Sequence, residues 1–146
     1  MHDLPRQLSE TELAELFEGH TRVVAQLAGL EDPLGQARKV LADAPEEEQI
    51  EALATHPRIG QRVNISETAA REQGGDEDPT LLAALARLNK SYEQKFGFRF
   101  VVFVDGRPRA EILSVMRQRL QNSREDELAA GLDDLVAIAL DRWRKR

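Results

Sequence analysis

Apolar residues along this chain recur mostly at three- and four-residue intervals, in segments separated by proline, glycine and aspartate, and this pattern predicts a series of helices. Ser9 stands three residues before Glu12, the spacing at which a serine hydroxyl and a glutamate side chain cap a helix start reciprocally, and Leu13, Leu16 and Phe17 continue from it on one face. Gly19 weakens or ends that helix before Val23, Val24 and Leu27 open a second stripe. Pro45, followed by Glu46, Glu47 and Glu48, marks another start: proline lacks the N–H that a first turn leaves unpaired, and acids complement the positive helix end. The apolar face of this helix is Ile50, Leu53 and Ala54. It ends at His56, because the residue before Pro57 is steered away from the helical region.

Ser66 is placed to cap a short helix running to Gln73, with Gly74 and Gly75 as its stop. Asp78-Pro79 opens the longest clean helix, whose face is Leu81, Leu82, Leu85, Leu88, Tyr92 and Phe96 and whose natural end is Gly97. The run FRFVVFV from Phe98 to Val104 is different in kind, rich in β-branched and aromatic residues and followed by Asp105-Gly106. Taken alone it reads as a strand entering a hairpin turn. Pro108 and the helical spacing of Ile112, Leu113, Met116 and Leu120 argue against a returning strand, so a buried extended segment between helices is expected. Asn122-Ser123 ends one helix and caps the last, in which Leu128, Leu132, Leu135, Ala139 and Trp143 share a face. With no repeat or low-complexity linker, the expected architecture is an all-α, single-domain helical bundle over residues 1–146, with residues 1–8 flexible.

The length of 146 residues suits one domain with its own core, and the 32% of charged against 5% of aromatic residues suggests solvated helices around a modest interior. A net charge of −6 gives no electrostatic case for nucleic acid or an anionic membrane as a partner. The basic run from Arg142 to Arg146 is short and suits the negative end of a helix. The chain has no cysteine, which excludes disulfides, thiolate nucleophiles and cysteine metal sites. It also has no membrane-length apolar run, no apolar core in MHDLPRQLSETEL and no peroxisomal tripeptide at its end, so a cytoplasmic location is expected.

Few chemistries remain. With only His2, His20 and His56 as histidines and no HExxH or EF-hand spacing, no metal site is expected, and there is no phosphate-binding glycine loop or GxSxG elbow. Acid–base chemistry is what these residues leave open. His2 lies in the tail and His20 at a helix junction, whereas His56 ends a helix, where the dipole favours imidazolium by up to roughly 1–2 kcal/mol. That placement predicts a proton donor near neutral pH. A helix-end histidine is also expected to contribute little to the core.

Four motifs accompany His56 in a fixed order: HPRIG at 56–60, REQ at 71–73, YEQKFGFRFVV at 92–102 and IALDR at 138–142. Together they resemble the family of 2-oxo-4-hydroxy-4-carboxy-5-ureidoimidazoline (OHCU) decarboxylases, whose pattern runs from an HPxxG turn through S-x-x-E-Q and N-x-x-Y-x-x-x-F-G-F-x-F to a final I-x-x-x-R. Asn89, Tyr92, Phe96, Gly97, Phe98 and Phe100 fit the third element, and the resemblance covers most of the chain. It implies an all-α fold, a homodimer, no metal or organic cofactor, and release of carbon dioxide from a small ureidoimidazoline to leave (S)-allantoin in urate degradation. By the same resemblance His56 and Glu72 match catalytic residues. Pro57, Gln73 and Arg142 match substrate contacts, and Phe100, Val101, Val102, Phe103 and Val104 match a segment whose backbone lines the pocket.

The implied roles are chemically coherent. Loss of carbon dioxide leaves an electron pair that the substrate ring takes into its own C=N and C=O groups, so the protein has to orient, stabilise charge and move one proton. Glu72 either orients His56 and raises its imidazolium fraction or holds the substrate hydroxyl, and Arg142 offers paired donors to an anionic or carbonyl oxygen. The segment 100–104 serves as core, pocket wall or both. Two departures stand out: Ala69 occupies the serine position of S-x-x-E-Q, and the connection between HPRIG and REQ is a little shorter than in many relatives. Losing a hydrogen bond to a charged group costs about 1.5–3 kcal/mol unless Asn64, Ser66 or Thr68 compensates. A helical binding module, or a related enzyme with an altered substrate, is the alternative reading.

Overall fold

The computed structural model describes residues 7–61, 66–73 and 78–146. Among the described residues the chain forms eight helices and no strand: α1 (Glu10–Phe17), α2 (Arg22–Ala28), α3 (Pro33–Asp43), α4 (Glu46–Ala54), α5 (Glu67–Gln73), α6 (Pro79–Phe96), α7 (Arg109–Arg119) and α8 (Arg124–Arg144). No described helix is long and apolar enough to cross a membrane. His2, Asn64, Gly74 and Gly75 lie outside the described residues, as does most of the tail 1–8, while Leu8 is buried against the core.

The helix starts follow from local chemistry. Ser9 and Glu12 form the reciprocal capping box, with both bonds at 3.1 Å. Ser66 Oγ accepts from the Ala69 N–H at 3.0 Å, Asp78 Oδ1 from Thr80 at 2.9 Å and Ser123 Oγ from Asp126 at 3.1 Å. Helix α3 is an addition to the predicted set, although it begins on the same Asp-Pro signal as α6: Asp32 Oδ1 accepts from Gly35 and Pro33 occupies the first turn. Its buried side is Pro33, Leu34, Ala37 and Leu41. The buried side of α4 is Gln49, Ala52 and Leu53, with Ile50 half-buried and Ala54 exposed, so the expected face is displaced by one position. Gln49 belongs inside because its amide donates to the Leu41 carbonyl at 2.8 Å, at the end of α3.

Helix α8 is the shared support, packing on α1, α3 and α4, while α6 packs on α7. Helix α1 ends when Glu18 turns left-handed (φ 68°), one residue before Gly19. A Cβ at Gly19 would sit 2.9 Å from Thr55 Cγ2, so the glycine lets the α1–α2 junction approach the end of α4.

The run 98–104 is the expected buried extended segment, without a returning strand. Gly97, left-handed at φ 82°, ends α6 and turns the chain back, so that Phe98 and Phe100 pack on Tyr92 with ring centroids 6.0 and 5.1 Å away. Asp105 and Gly106 then turn with φ 49° and 73°, closed by Arg107 N–H to the Val104 carbonyl at 3.0 Å, and α7 begins after Pro108. A Cβ at Gly97 would meet nothing within 4 Å, so Gly97→Ala isolates the backbone cost of a left-handed residue. We expect it to lower unfolding free energy by about 1–2 kcal/mol in urea titration with an unchanged denaturant slope.

Candidate active site

The end of α4 builds the first part of the site. Arg99 Nη1 donates to the Ala54 and His56 carbonyls, both at 2.8 Å, satisfying acceptors that a helix C-terminus leaves open. The Thr55 hydroxyl donates to the Phe17 carbonyl at 3.2 Å and to the Ala52 carbonyl at 2.9 Å. Asn89 Nδ2 donates to the Ile59 carbonyl at 3.0 Å, tying the HPRIG turn to α6. The His56 ring delivered by this turn is only 4% exposed, and its Nε2 is buried without a hydrogen-bond partner among the described residues.

This environment reverses the charge expected of His56. Burial pushes its pKa down to about 4, helped by the positive charge of Arg142 and, less, of Arg99; Glu18 and a hydrogen bond to the backbone of Phe17 oppose the shift. The imidazole is therefore neutral near pH 7, a proton acceptor rather than a donor. The expectation that this histidine contributes little to the core also fails, since the ring is enclosed where α1 meets α4.

Arg142 comes from the last turn of α8 and is 8% exposed. It meets Glu72 on two parallel bonds, Nε to Oε2 at 3.0 Å and Nη2 to Oε1 at 2.7 Å. Its Nη1 donates to Glu18 Oε2 at 2.7 Å and to the Glu15 and Leu16 carbonyls at 3.1 and 3.3 Å. Among the described residues only one Nη2 N–H remains without a partner, so Arg142 has little left of the free anchor that its sequence position suggests. Glu72 correspondingly faces Arg142 and makes no hydrogen bond to His56, because a guanidinium fork matches a carboxylate in both charge and shape while a neutral imidazole does not.

His56, Pro57, Glu72, Phe100, Val101, Val102, Phe103, Val104 and Arg142 line one cleft of about 600 Å³ including its open mouth. The Gln73 side chain lies outside the described residues. The cleft also takes in Ile59, Ala69, Asp105, Gly106, Ile138, Asp141 and Lys145. The Asp141–Lys145 pair, 2.9 Å apart with the lysine well exposed, was foreseeable from its i,i+4 spacing beside Arg142. Ala69 is buried in the wall, and neither Ser66 nor Thr68 lines the cleft, so neither supplies the absent serine hydroxyl there. Among the described residues no group of three or more His, Asp or Glu side chains is arranged to hold a metal ion.

The wall formed by 100–104 is held from behind. The Val101 carbonyl accepts from Arg119 Nη1 at 3.0 Å, and the Phe103 N–H donates to Asp134 Oδ2 at 3.0 Å. Successive peptide groups of an extended chain point to opposite sides, so those of Val102 lie on the other side from these two bonds and have no partner among the described residues. The site thus combines a neutral base, a buried carboxylate–guanidinium pair and an edge of unpaired peptide groups.

The depressed pKa of His56 has a consequence for stability. As pH falls, the unfolded chain takes up the proton near the ordinary value of 6.5 and the folded one only near 4, so folding is weakened progressively between them. We expect the wild type to lose about 3 kcal/mol over that interval relative to His56→Gln, measured as urea unfolding free energies at pH 7, 5.5 and 4. Parallel curves for the two proteins would mean that the His56 pKa is the same in the folded and unfolded states, so that the ring titrates as an ordinary histidine.

Comparison with known proteins bears on this arrangement. The family model described as OHCU decarboxylase matches residues 2–144. The 2-oxo-4-hydroxy-4-carboxy-5-ureidoimidazoline decarboxylase of Haloferax volcanii is 29% identical over 143 residues, covering 90% of this chain and 84% of that protein. The protein of the same description from Halalkalicoccus jeotgali is 32% identical over 113 residues, covering 74% of this chain and 64% of that protein. In fold the chain is similar to a crystal structure of an OHCU decarboxylase in the presence of (S)-allantoin, with a TM-score of 0.76 at 24% identity over 92% of this chain and 96% of the other. The matched span and the ordered motifs agree: the chain belongs to the OHCU decarboxylase family.

Proposed function

We propose that this chain decarboxylates 2-oxo-4-hydroxy-4-carboxy-5-ureidoimidazoline to (S)-allantoin and carbon dioxide in urate degradation, with His56 as its acid–base residue. The observation that carries the assignment to His56 is the buried, neutral imidazole with an unpartnered Nε2 at the wall of the family-matched cleft. The substrate carries its hydroxyl and its carboxylate on one ring carbon, next to the carbon that bears the ureido group. When the bond to the carboxylate breaks, carbon dioxide leaves and the electron pair moves into the adjacent C=N bond. His56 Nε2 takes the hydroxyl proton, and the imidazolium so formed returns it to the ureido-bearing carbon on the face it occupies. One further proton from solvent neutralises the ring anion. Delivery from a fixed ring on one face gives a single enantiomer.

The remaining residues bind. The Val102 peptide group offers one N–H and one C=O, the pattern that ureido and ring-amide groups complement. Glu72, oriented by Arg142, keeps acceptor capacity for a substrate hydroxyl or N–H. Lys145 at the mouth adds positive charge where an anionic substrate enters. On this reading the protein works as a cytoplasmic homodimer and needs no cofactor, since the substrate ring is its own electron sink.

Ala69 favours a second reading, in which the scaffold binds a related ligand or acts on an altered substrate, because the wall lacks the serine hydroxyl of the family pattern. The two readings separate when the substrate is generated in situ from urate with urate oxidase and hydroxyisourate hydrolase and circular dichroism follows (S)-allantoin. The decarboxylase reading expects a rise well above the spontaneous rate in wild type and a kcat at least 100-fold lower in His56→Asn, with helical content retained. No acceleration by folded wild type would leave the second reading.

A further inference from the structure

Glu127 is an acid with no exposure to solvent, a placement that proteins support only when every oxygen is occupied. Its Oε1 accepts from the Tyr92 hydroxyl at 2.6 Å and from Arg119 Nε at 2.8 Å, and its Oε2 accepts from Asn122 Nδ2 at 2.8 Å. Arg119 is fixed on two further sides: its guanidinium lies 4.6 Å from the centre of the Phe100 ring, and its Nη1 donates to the Val101 carbonyl. Asp134 stands 3.6 Å from the same Nη1 and accepts the Phe103 N–H. Side chains from α7 and α8 therefore hold the Val101 carbonyl and the Phe103 N–H of the cleft wall, and Tyr92 of α6 supports them through Glu127. None of Tyr92, Arg119, Glu127 and Asp134 lines the cleft.

A sheet strand is held in register by its neighbours. The segment 98–104 has no neighbouring strand among the described residues, and side-chain bonds from behind hold it instead. Directional buried networks suit this purpose because each hydrogen bond fixes both a distance and an angle. We propose that Arg119, Glu127 and Asp134 are positioning residues that hold the Val101–Phe103 backbone in the register needed for its cleft-facing peptide groups to engage the substrate. The identity of the substrate rests on the function proposed above, whereas the clamp on the backbone does not.

Asp134 provides the test because it is partly exposed and its removal leaves the buried Glu127 paired. Asp134→Asn keeps an oxygen for the Phe103 N–H, and Asp134→Ala does not. Two readouts are taken on each variant: amide hydrogen exchange at Phe103 by NMR, and kcat/KM for enzymatically generated OHCU. We expect Asp134→Ala to exchange the Phe103 amide about tenfold faster or more and to lose about tenfold or more in kcat/KM, mainly through KM, with the acid limb of the pH profile unmoved. Asp134→Asn is expected to return both values to within about threefold of wild type. Arg119→Lys, which keeps the charge and loses the fork that holds the Val101 carbonyl, is expected to lower kcat/KM in the same way, mainly through KM. Unchanged exchange and unchanged kcat/KM in Asp134→Ala, or equal losses in Asp134→Ala and Asp134→Asn, would overturn the proposal. If wild type does not turn over OHCU, the function proposed above fails and the exchange rates alone decide the clamp.

Discussion

One buried guanidinium joins the parts of this protein that have to meet. Arg142 ties the end of α8 to the last turn of α1, through Glu18 and two backbone carbonyls, and to α5 through both oxygens of Glu72. Taking a cation out of water is costly, and an arrangement with four of its five donors engaged by described residues is what makes this placement tenable. Removing the guanidinium would leave two carboxylates and two helix-end carbonyls without their partner, which is why its loss would disturb the fold as well as the cleft. The same charge acts on His56, where it reinforces burial in keeping the imidazole neutral.

Around that centre the cleft has two kinds of support. On one side the HPRIG turn is bonded at its backbone by Arg99 and Asn89, and the glycine at the α1–α2 junction lets the two helix ends close on the His56 ring. On the other side the extended wall is held by Arg119 and Asp134. These inner bonds differ from the outer ion pairs such as Arg38–Asp133, whose side chains are each more than half exposed and which water and salt screen. The polar interactions that matter for the site are the enclosed ones, where geometry rather than net attraction is at stake.

Much of this was legible in the sequence because its causes are local. Caps at Ser9, Asp78 and Ser123, the left-handed Gly97 and the β-rich run that fails to return as a strand all depend on residues within a few positions of one another. The members of the cleft were legible through ordered motifs rather than physics: nothing in the spacing of His56, Glu72 and Arg142 requires them to line one cavity, although they do. What stayed hidden is long-range. Arg142 and Glu18 lie 124 residues apart in the chain, so the sequence suggested a free arginine where the fold makes a saturated one. His56 was read from its helix end, while its charge state follows from enclosure by α1 and the nearby guanidinium. Glu127 sits beside Glu125 and Asp126 in an acidic first turn, and only the approach of α6 and α7 distinguishes the buried acid from its solvated neighbours.

The central claim is that the fold supplies a neutral imidazole to the cleft, and the most direct measurement is an NMR titration of the His56 ring carbons in folded wild-type protein. The account predicts a midpoint near 4, with the ring neutral near pH 7. A midpoint at or above the ordinary histidine value of about 6.5 would contradict it and return His56 to the role of a standing proton donor.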